Sequence, residues 1–285
     1  MTRLFIDCVD NYEFLEPISE GQFSTVFKAK KKINQKIVAI KKITKKITKY
    51  GIEKLFCLFD LFQNIEAERY LVRLDGYFIY DDKLHLIMPF YEKGSLQDYI
   101  RGPHLTSESI VCILKHLVHG LQFLYKKGFV YPDLKPCNVL IAAVECGKIH
   151  VVIDYFKLNR SMKTITRTTS FKNPDLCRGK EYGPKVDIYA LGAVFYSMLT
   201  NSNPPNKRKK ILQTADQIVK DSVACELLKE MLKDKNPISL EGIFEHKYVK
   251  EKCAHVKLFG GRCMECAESQ RAEMKSEKKD AKKKS

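Results

Sequence analysis

Up to Pro89 the chain is built from short runs in which apolar and polar residues alternate. "YEFLEPISEGQFSTVFKAK" (residues 12–30) alternates on either side of Gly21, and "KIVAIKKI" (36–43) follows the same two-residue period. A period of two buries one face of a pleated strand, so both stretches predict β-structure. "IEKLFCLFDLFQNI" (52–65) changes period, placing Leu55, Phe56, Phe59 and Phe62 at helical spacing. "YLVRLDGYFIYDDKLHLIMPFY" (70–91) reads as a hairpin with Asp81 and Asp82 at its turn. Beyond "EKGSLQDYI" (92–100) the texture is helical. Ile110, Ile113, Leu114, Leu117, Leu121 and Leu124 form one apolar stripe. "VDIYALGAVFYSMLT" (186–200) is apolar on most faces and predicts a deeply buried helix. "NSNPPNKRKK" (201–210) reads as a loop by its Pro and Asn content. The pattern therefore predicts an α+β chain of two lobes. A small β-rich lobe covers about 12–89 and a helical lobe about 90–250, with 251–285 as a basic, flexible appendage.

With 285 residues there is ample chain to bury a core, and the apolar (45%) and charged (29%) fractions are those of a soluble globular protein. The first residues, "MTRLFIDCVDNYEF", lack the long apolar core of a secretory signal. No run approaches the length of uncharged apolar residues that a membrane span needs. Ten cysteines are scattered without the even spacing of a disulfide scaffold, so reduced thiols and a cytoplasmic or nuclear location are expected. The formal charge is +16. Ten lysines and no acid lie between Lys28 and Lys49, and "RAEMKSEKKDAKKKS" at the end carries seven basic and three acidic residues. Neither run interleaves aromatics, so solvated surface is the expectation and nucleic acid is not the expected partner. Oligomeric state is not legible.

The chemistry lies in six stretches in fixed order: "ISEGQFSTV" (18–26), "VAIK" (38–41), "YPDLKPCN" (131–138), "IDYF" (153–156), "NPD" (173–175) and "VDIYALG" (186–192). Each is weak alone; together they resemble the eukaryotic protein kinase family over roughly residues 12–250. The resemblance implies a bilobal protein kinase fold that binds ATP and Mg²⁺ and acts on a protein substrate. It places Asp133 at the substrate hydroxyl and Lys135 at the transferred phosphoryl group. Lys41 would reach the α- and β-phosphates, while Asn138 and Asp154 are hard oxygen donors suited to Mg²⁺. The nucleotide would lie under Ile18, Ser19, Glu20, Gly21, Gln22, Phe23, Ser24, Thr25 and Val26. Ala39, Met88, Pro89 and Tyr91 would surround the adenine. "DLKP" and Thr168 resemble serine/threonine rather than tyrosine kinases.

Several positions depart from the family pattern. Tyr131 and Pro132 replace the usual His-Arg before the catalytic aspartate. The arginine normally pairs with a phosphorylated activation segment, so Pro132 implies loss of that control. Tyr131 is expected to fill the histidine's space. Serines at 19 and 24 replace two glycines of the phosphate loop, where a Cβ restricts close backbone approach. Tyr155-Phe156 stands where the family has Phe-Gly, restricting the segment that flips between active and inactive arrangements. "NPD" replaces Ala-Pro-Glu, and the arginine that pairs with that glutamate is also missing. The acid expected beside Lys41 is Asp60, with Glu53 and Glu66 as alternatives. In the appendage, Cys253, His255, Cys263 and Cys266 form a weak zinc-like spacing, and ordinary thiols are the expectation. The reading is a protein serine/threonine kinase; the rival is a pseudokinase, a binding module on the same fold.

Overall fold

The computed structural model describes residues 5–21, 24–46, 69–102, 104–127, 129, 131, 133–145, 148–155, 171, 184–252, 258–259 and 262–263. Outside them lie the expected helix at 52–65 with Glu53 and Asp60, and also Glu66, Gln22, Phe23, Pro132, Phe156, Thr168, residues 173–175 and most of the appendage.

The β-rich lobe is a six-stranded sheet. Its strands are β1 (Phe5–Ile6), β2 (Tyr12–Glu20), β3 (Ser24–Lys31), β4 (Ile37–Lys46), β5 (Gly76–Tyr80) and β6 (Lys83–Pro89), in the order β1-β5-β6-β4-β3-β2. All neighbours are antiparallel except β1, which pairs parallel with β5. The expected hairpin is β5–β6. Its turn residues Asp81 and Asp82 have φ of 52° and 55°, as a two-residue turn matched to strand twist requires. β1 has no counterpart in the sequence reading, because a two-residue strand leaves no periodic signal.

Alternation divides the sheet into two faces. Ala39, Leu84, Leu86 and Met88 join the main core shared with the helices. Val38, Ile40, Phe78 and Ile87 form a second cluster with Tyr12 on the opposite face. Lys41 stands two residues after Ala39, so β4 aims it toward the helical lobe.

Helices follow: α1 (Leu96–Ile100), α2 (Ser107–Lys126), α3 (Pro184–Thr200), α4 (Arg208–Ile218), α5 (Ser222–Met231), α6 (Leu240–Glu245) and α7 (Lys247–Glu251). Thr106 caps α2, its hydroxyl oxygen accepting from the Ser109 amide at 3.1 Å. Every member of the expected α2 stripe is buried, and each such side chain contributes roughly 1.5–3 kcal/mol. α3 is buried along nearly its whole length, as its all-round apolar pattern requires. Gly192 lets it close on its neighbour, since a Cβ there would stand 3.1 Å from Met231 and Leu232. The loop expected over 201–210 ends at Lys207, because Ile211 and Ala215 bury one face and draw Arg208 into α4. Between α2 and α3 a hairpin pairs β7 (Val139–Glu145) with β8 (Lys148–Ile153). In the appendage β9 (Leu258–Phe259) and β10 (Arg262–Cys263) pair as a short antiparallel ribbon, so this part is not wholly without regular structure. Among the described residues no helix is long and apolar enough to cross a membrane.

Candidate active site

The β7–β8 register sets the centre of the site. Val139 stands opposite Ile153, so the residues just outside the ladder, Asn138 and Asp154, face each other. The Asp154 amide donates to the Asn138 carbonyl at 2.8 Å. Asn138 closes a 3₁₀ turn, Pro136–Asn138, and its side-chain amide donates to the Asp133 carbonyl at 2.7 Å and to Asp133 Oδ2 at 3.0 Å. With its amide nitrogen so engaged, Asn138 keeps its Oδ1 as the acceptor end. Lys135 Nζ lies 3.5 Å from Asp133 Oδ2. Residues 133, 135, 138 and 154 are thus one connected group.

Lys41 reaches this group from the other lobe. Its Nζ donates to Asp154 Oδ2 at 2.8 Å, and Lys41 is only 3% exposed. Among the described residues Lys41 therefore has an acidic mate in Asp154, while Asp60, Glu53 and Glu66 lie outside them. A buried ammonium needs such a partner, since removing one member of a buried pair costs several kcal/mol.

Tyr131 occupies the interior at 1% exposure. Its hydroxyl donates to the Asp154 carbonyl at 2.7 Å, and its amide donates to Asp187 Oδ2 at 3.0 Å. Its ring lies 5.6 Å from that of Tyr155, which also meets Phe129 edge-on. The Tyr125 hydroxyl donates to the same Asp187 oxygen at 2.8 Å, and burial together with this carboxylate raises the Tyr125 phenol's pKa. Asp187 was visible only as part of a motif, and its role as a shared acceptor was missed. The available signal was an isolated acid in an otherwise apolar helix, a costly placement unless hydrogen-bonded.

Apart from Gln22 and Phe23, the residues expected at the nucleotide lie on or beside strands of the sheet whose β4 carries Lys41. Ser19 and Glu20 on β2 stand opposite Val26 and Thr25 on β3. The Gly21 amide closes the turn onto the Ser24 carbonyl at 2.9 Å. Ile18 is an apolar side chain left 48% exposed, while Val26 packs against the main core. Ala39 pairs with Met88 across β4 and β6, and both are buried. Pro89 ends β6, and Tyr91 follows with its phenol pushed up to about 12, chiefly by burial. Two oxygen donors, Asn138 and Asp154, beside Lys41 and Lys135 fit Mg²⁺ and a polyphosphate by donor chemistry.

The family described as "Protein kinase domain" matches residues 12–280. The chain is 31% identical to a probable serine/threonine-protein kinase, zyg-1, of Caenorhabditis elegans over 203 residues, 69% of this chain and 28% of that protein. It is 26% identical to serine/threonine-protein kinase ULK3 of Homo sapiens over 264 residues, 85% of this chain and 55% of that protein. It is also 26% identical to an Aurora kinase of Schizosaccharomyces pombe, covering 84% of this chain and 71% of that protein. The chain thus spans 28% of the zyg-1 relative and 55% of ULK3, a little over a quarter to a little over a half of their length. With a β-rich lobe, a helical lobe and all six motifs in order, the chain belongs to the eukaryotic protein kinase family.

Proposed function

We propose that the chain transfers the γ-phosphate of ATP to a serine or threonine hydroxyl of a protein. The observation that carries this reading is the unbroken chain of contacts from Lys41 through Asp154 and Asn138 to Asp133. A metal site alone would not need Asp133 or Lys135, and a capping or turn role would not need Lys41. The similarity to serine/threonine-protein kinases supports the hydroxyl class.

In this reading Asn138 and Asp154 would hold Mg²⁺, which would supply positive charge against that of the triphosphate. Lys41 holds the non-transferred phosphates, and its pairing with Asp154 fixes the two lobes at one separation. Asp133 orients the attacking hydroxyl and takes up its proton as the new O–P bond forms and the bond to the leaving ADP oxygen breaks. Lys135 stabilises the moving phosphoryl group. Ile18, Val26, Ala39 and Met88 offer apolar surface to the adenine, and the main chain at Pro89 and Tyr91 offers it hydrogen bonds.

The test is transfer of radiolabel from ATP to a mixed protein substrate and to the chain itself, beside Asp133→Asn. Removing a positioned proton acceptor is expected to lower the rate at least about 100-fold. Equal labelling by the two proteins would overturn the reading. Nucleotide binding without any transfer would establish the pseudokinase instead.

A further inference from the structure

Away from the cleft, α2 packs along β8, and their interface holds three soft or borderline donors. Cys112 and His116 stand one turn apart on α2, and His150 faces them from β8; they are 0%, 2% and 7% exposed. One donor atom from each lies within 4.8 Å of the other two, and among the described residues no other such trio of His, Cys or acidic side chains occurs.

The hydrogen bonding fixes what the His116 imidazole offers. His116 Nδ1 lies 2.8 Å from the Cys112 carbonyl. A carbonyl only accepts, so Nδ1 carries the proton and Nε2 presents its lone pair. Imidazoles that bind metals are held in this way, with the second nitrogen donating to a carbonyl or carboxylate. His116 Nε2 stands 3.3 Å from His150 Nδ1, with the two rings steeply inclined. Two nitrogens on one tetrahedral ion with bonds of about 2.05 Å stand about 3.3 Å apart. Without an ion the same separation is a hydrogen bond in which His150 Nδ1 donates to His116 Nε2, so ligation keeps the spacing and moves the His150 proton from Nδ1 to Nε2. Cys112 Sγ lies beside the same ring, 3.7 Å from its Nδ1, and one donor atom of each residue falls within 4.8 Å of the other two, so ligation draws the sulfur inward to a bond near 2.3 Å.

We propose that Cys112, His116 and His150 form a buried binding site for one thiophilic d¹⁰ cation, Zn²⁺ or Cu⁺. Thiolate and neutral imidazole are the donors these ions select, and the site has no carboxylate to favour Mg²⁺ or Ca²⁺. Binding replaces the Cys112 S–H bond by an S–metal bond and releases one proton to solvent. Cu⁺ with one thiolate leaves no net charge in the interior, whereas Zn²⁺ leaves one positive charge and takes a fourth ligand. In either case the ion ties α2 to β8 four residues before Asp154, stiffening the strand that carries the site without touching it. The assignment does not depend on phosphotransfer.

The experiment uses the full chain with Cys253, Cys263 and Cys266 each changed to Ser, so that tail thiols are silent. The protein is stripped with a chelator and titrated without oxygen, with Co²⁺ as a zinc reporter or with Cu⁺ held by a competing chelator. One equivalent of Co²⁺ is expected to give thiolate charge-transfer absorption and tetrahedral d–d bands that Zn²⁺ abolishes. Uptake of one equivalent of Cu⁺ with no cobalt spectrum assigns the site to copper. Either ion is expected to raise the melting temperature, to lose its signal in Cys112→Ser, and to bind at least about 100-fold more weakly in His150→Gln. Uptake of neither ion by the otherwise unaltered chain overturns the proposal without reference to any variant's folding. A spectrum that survives Cys112→Ser in a folded protein does the same.

Discussion

The Tyr131 hydroxyl donates to the main-chain carbonyl of Asp154 at 2.7 Å, while the Tyr131 amide is held by Asp187 of α3. One residue thereby links the helical core to the backbone of the acid that meets Lys41. A tyrosine does here what the sequence reading asked of it, filling the interior beside Asp154, and it adds a polar tip that reaches the backbone.

Tyr131→Phe deletes that single oxygen and leaves the ring packing intact. A net hydrogen bond of about 1 kcal/mol is removed, which for a domain of this size lowers the melting temperature by about 2–4 °C. Because Asp154 loses a backbone restraint, the transfer rate is expected to fall severalfold as well. Thermal melts and initial rates measure both. An unchanged rate with a lowered melting point would confine Tyr131 to a packing role.

Mg-ATP at about 100 times its dissociation constant is expected to stabilise the chain by about 2.7 kcal/mol, or about 5–10 °C in melting temperature. Asp154→Asn removes the charge that meets Lys41, and that under the proposed function would also hold Mg²⁺, but keeps an oxygen for the lysine to bond, so the variant is expected to fold. Most of the nucleotide-induced shift should vanish with it. Differential scanning fluorimetry with and without Mg-ATP decides, and a full shift in the variant would remove Asp154 from the metal site.

Pro132 stands where the family has the arginine that binds a phosphorylated activation segment. A proline side chain offers no donor to a phosphate, so phosphorylation there lacks its usual partner. Phosphatase treatment is accordingly expected to leave the transfer rate within about twofold of its starting value, a free-energy change near 0.4 kcal/mol. A tenfold loss would show that another cation serves the phosphate.

The extent to which this geometry was legible follows from the kind of signal each residue leaves. Asp133, Lys135, Asn138 and Asp154 were legible through the kinase resemblance, which places those side chains in that order, and the β7–β8 ladder brings Asn138 and Asp154 together. Lys41 was readable from its strand, since its place two residues beyond Ala39 sets its face. Its pairing with Asp154 was not. The contact joins two lobes 113 positions apart, a separation that no local pattern announces; the nearer acids expected beside Lys41 lie outside the described residues. Asp187 shows the same limit, because an acid inside an apolar helix announces a partner without naming it. The β7–β8 hairpin was overlooked for a different reason. β8 is buried along its whole length, so it lacks the alternation that marks a half-exposed strand.

Acid should weaken the fold through histidines that are held neutral. His119 stacks on Tyr70 at 5.0 Å and meets Phe244 at 4.6 Å with its ring tilted, and burial, followed by repulsion from Lys115 and Lys126, lowers its pKa. His85 stacks on Phe78 at 4.7 Å and is lowered likewise, first by burial. In the unfolded chain both titrate near the ordinary value of about 6.5. Below that pH the unfolded state takes up protons that the folded state refuses, so stability falls as pH falls from about 7 toward 5.5 and is regained on return. His119→Gln removes one of these groups and should flatten the slope of melting temperature against pH over that window, while lowering stability at pH 7.5 through lost stacking. A slope identical to that of the parent would show that His119 binds its proton as readily in the folded chain as outside it, and that Tyr70 and Phe244 do not exclude the charged ring.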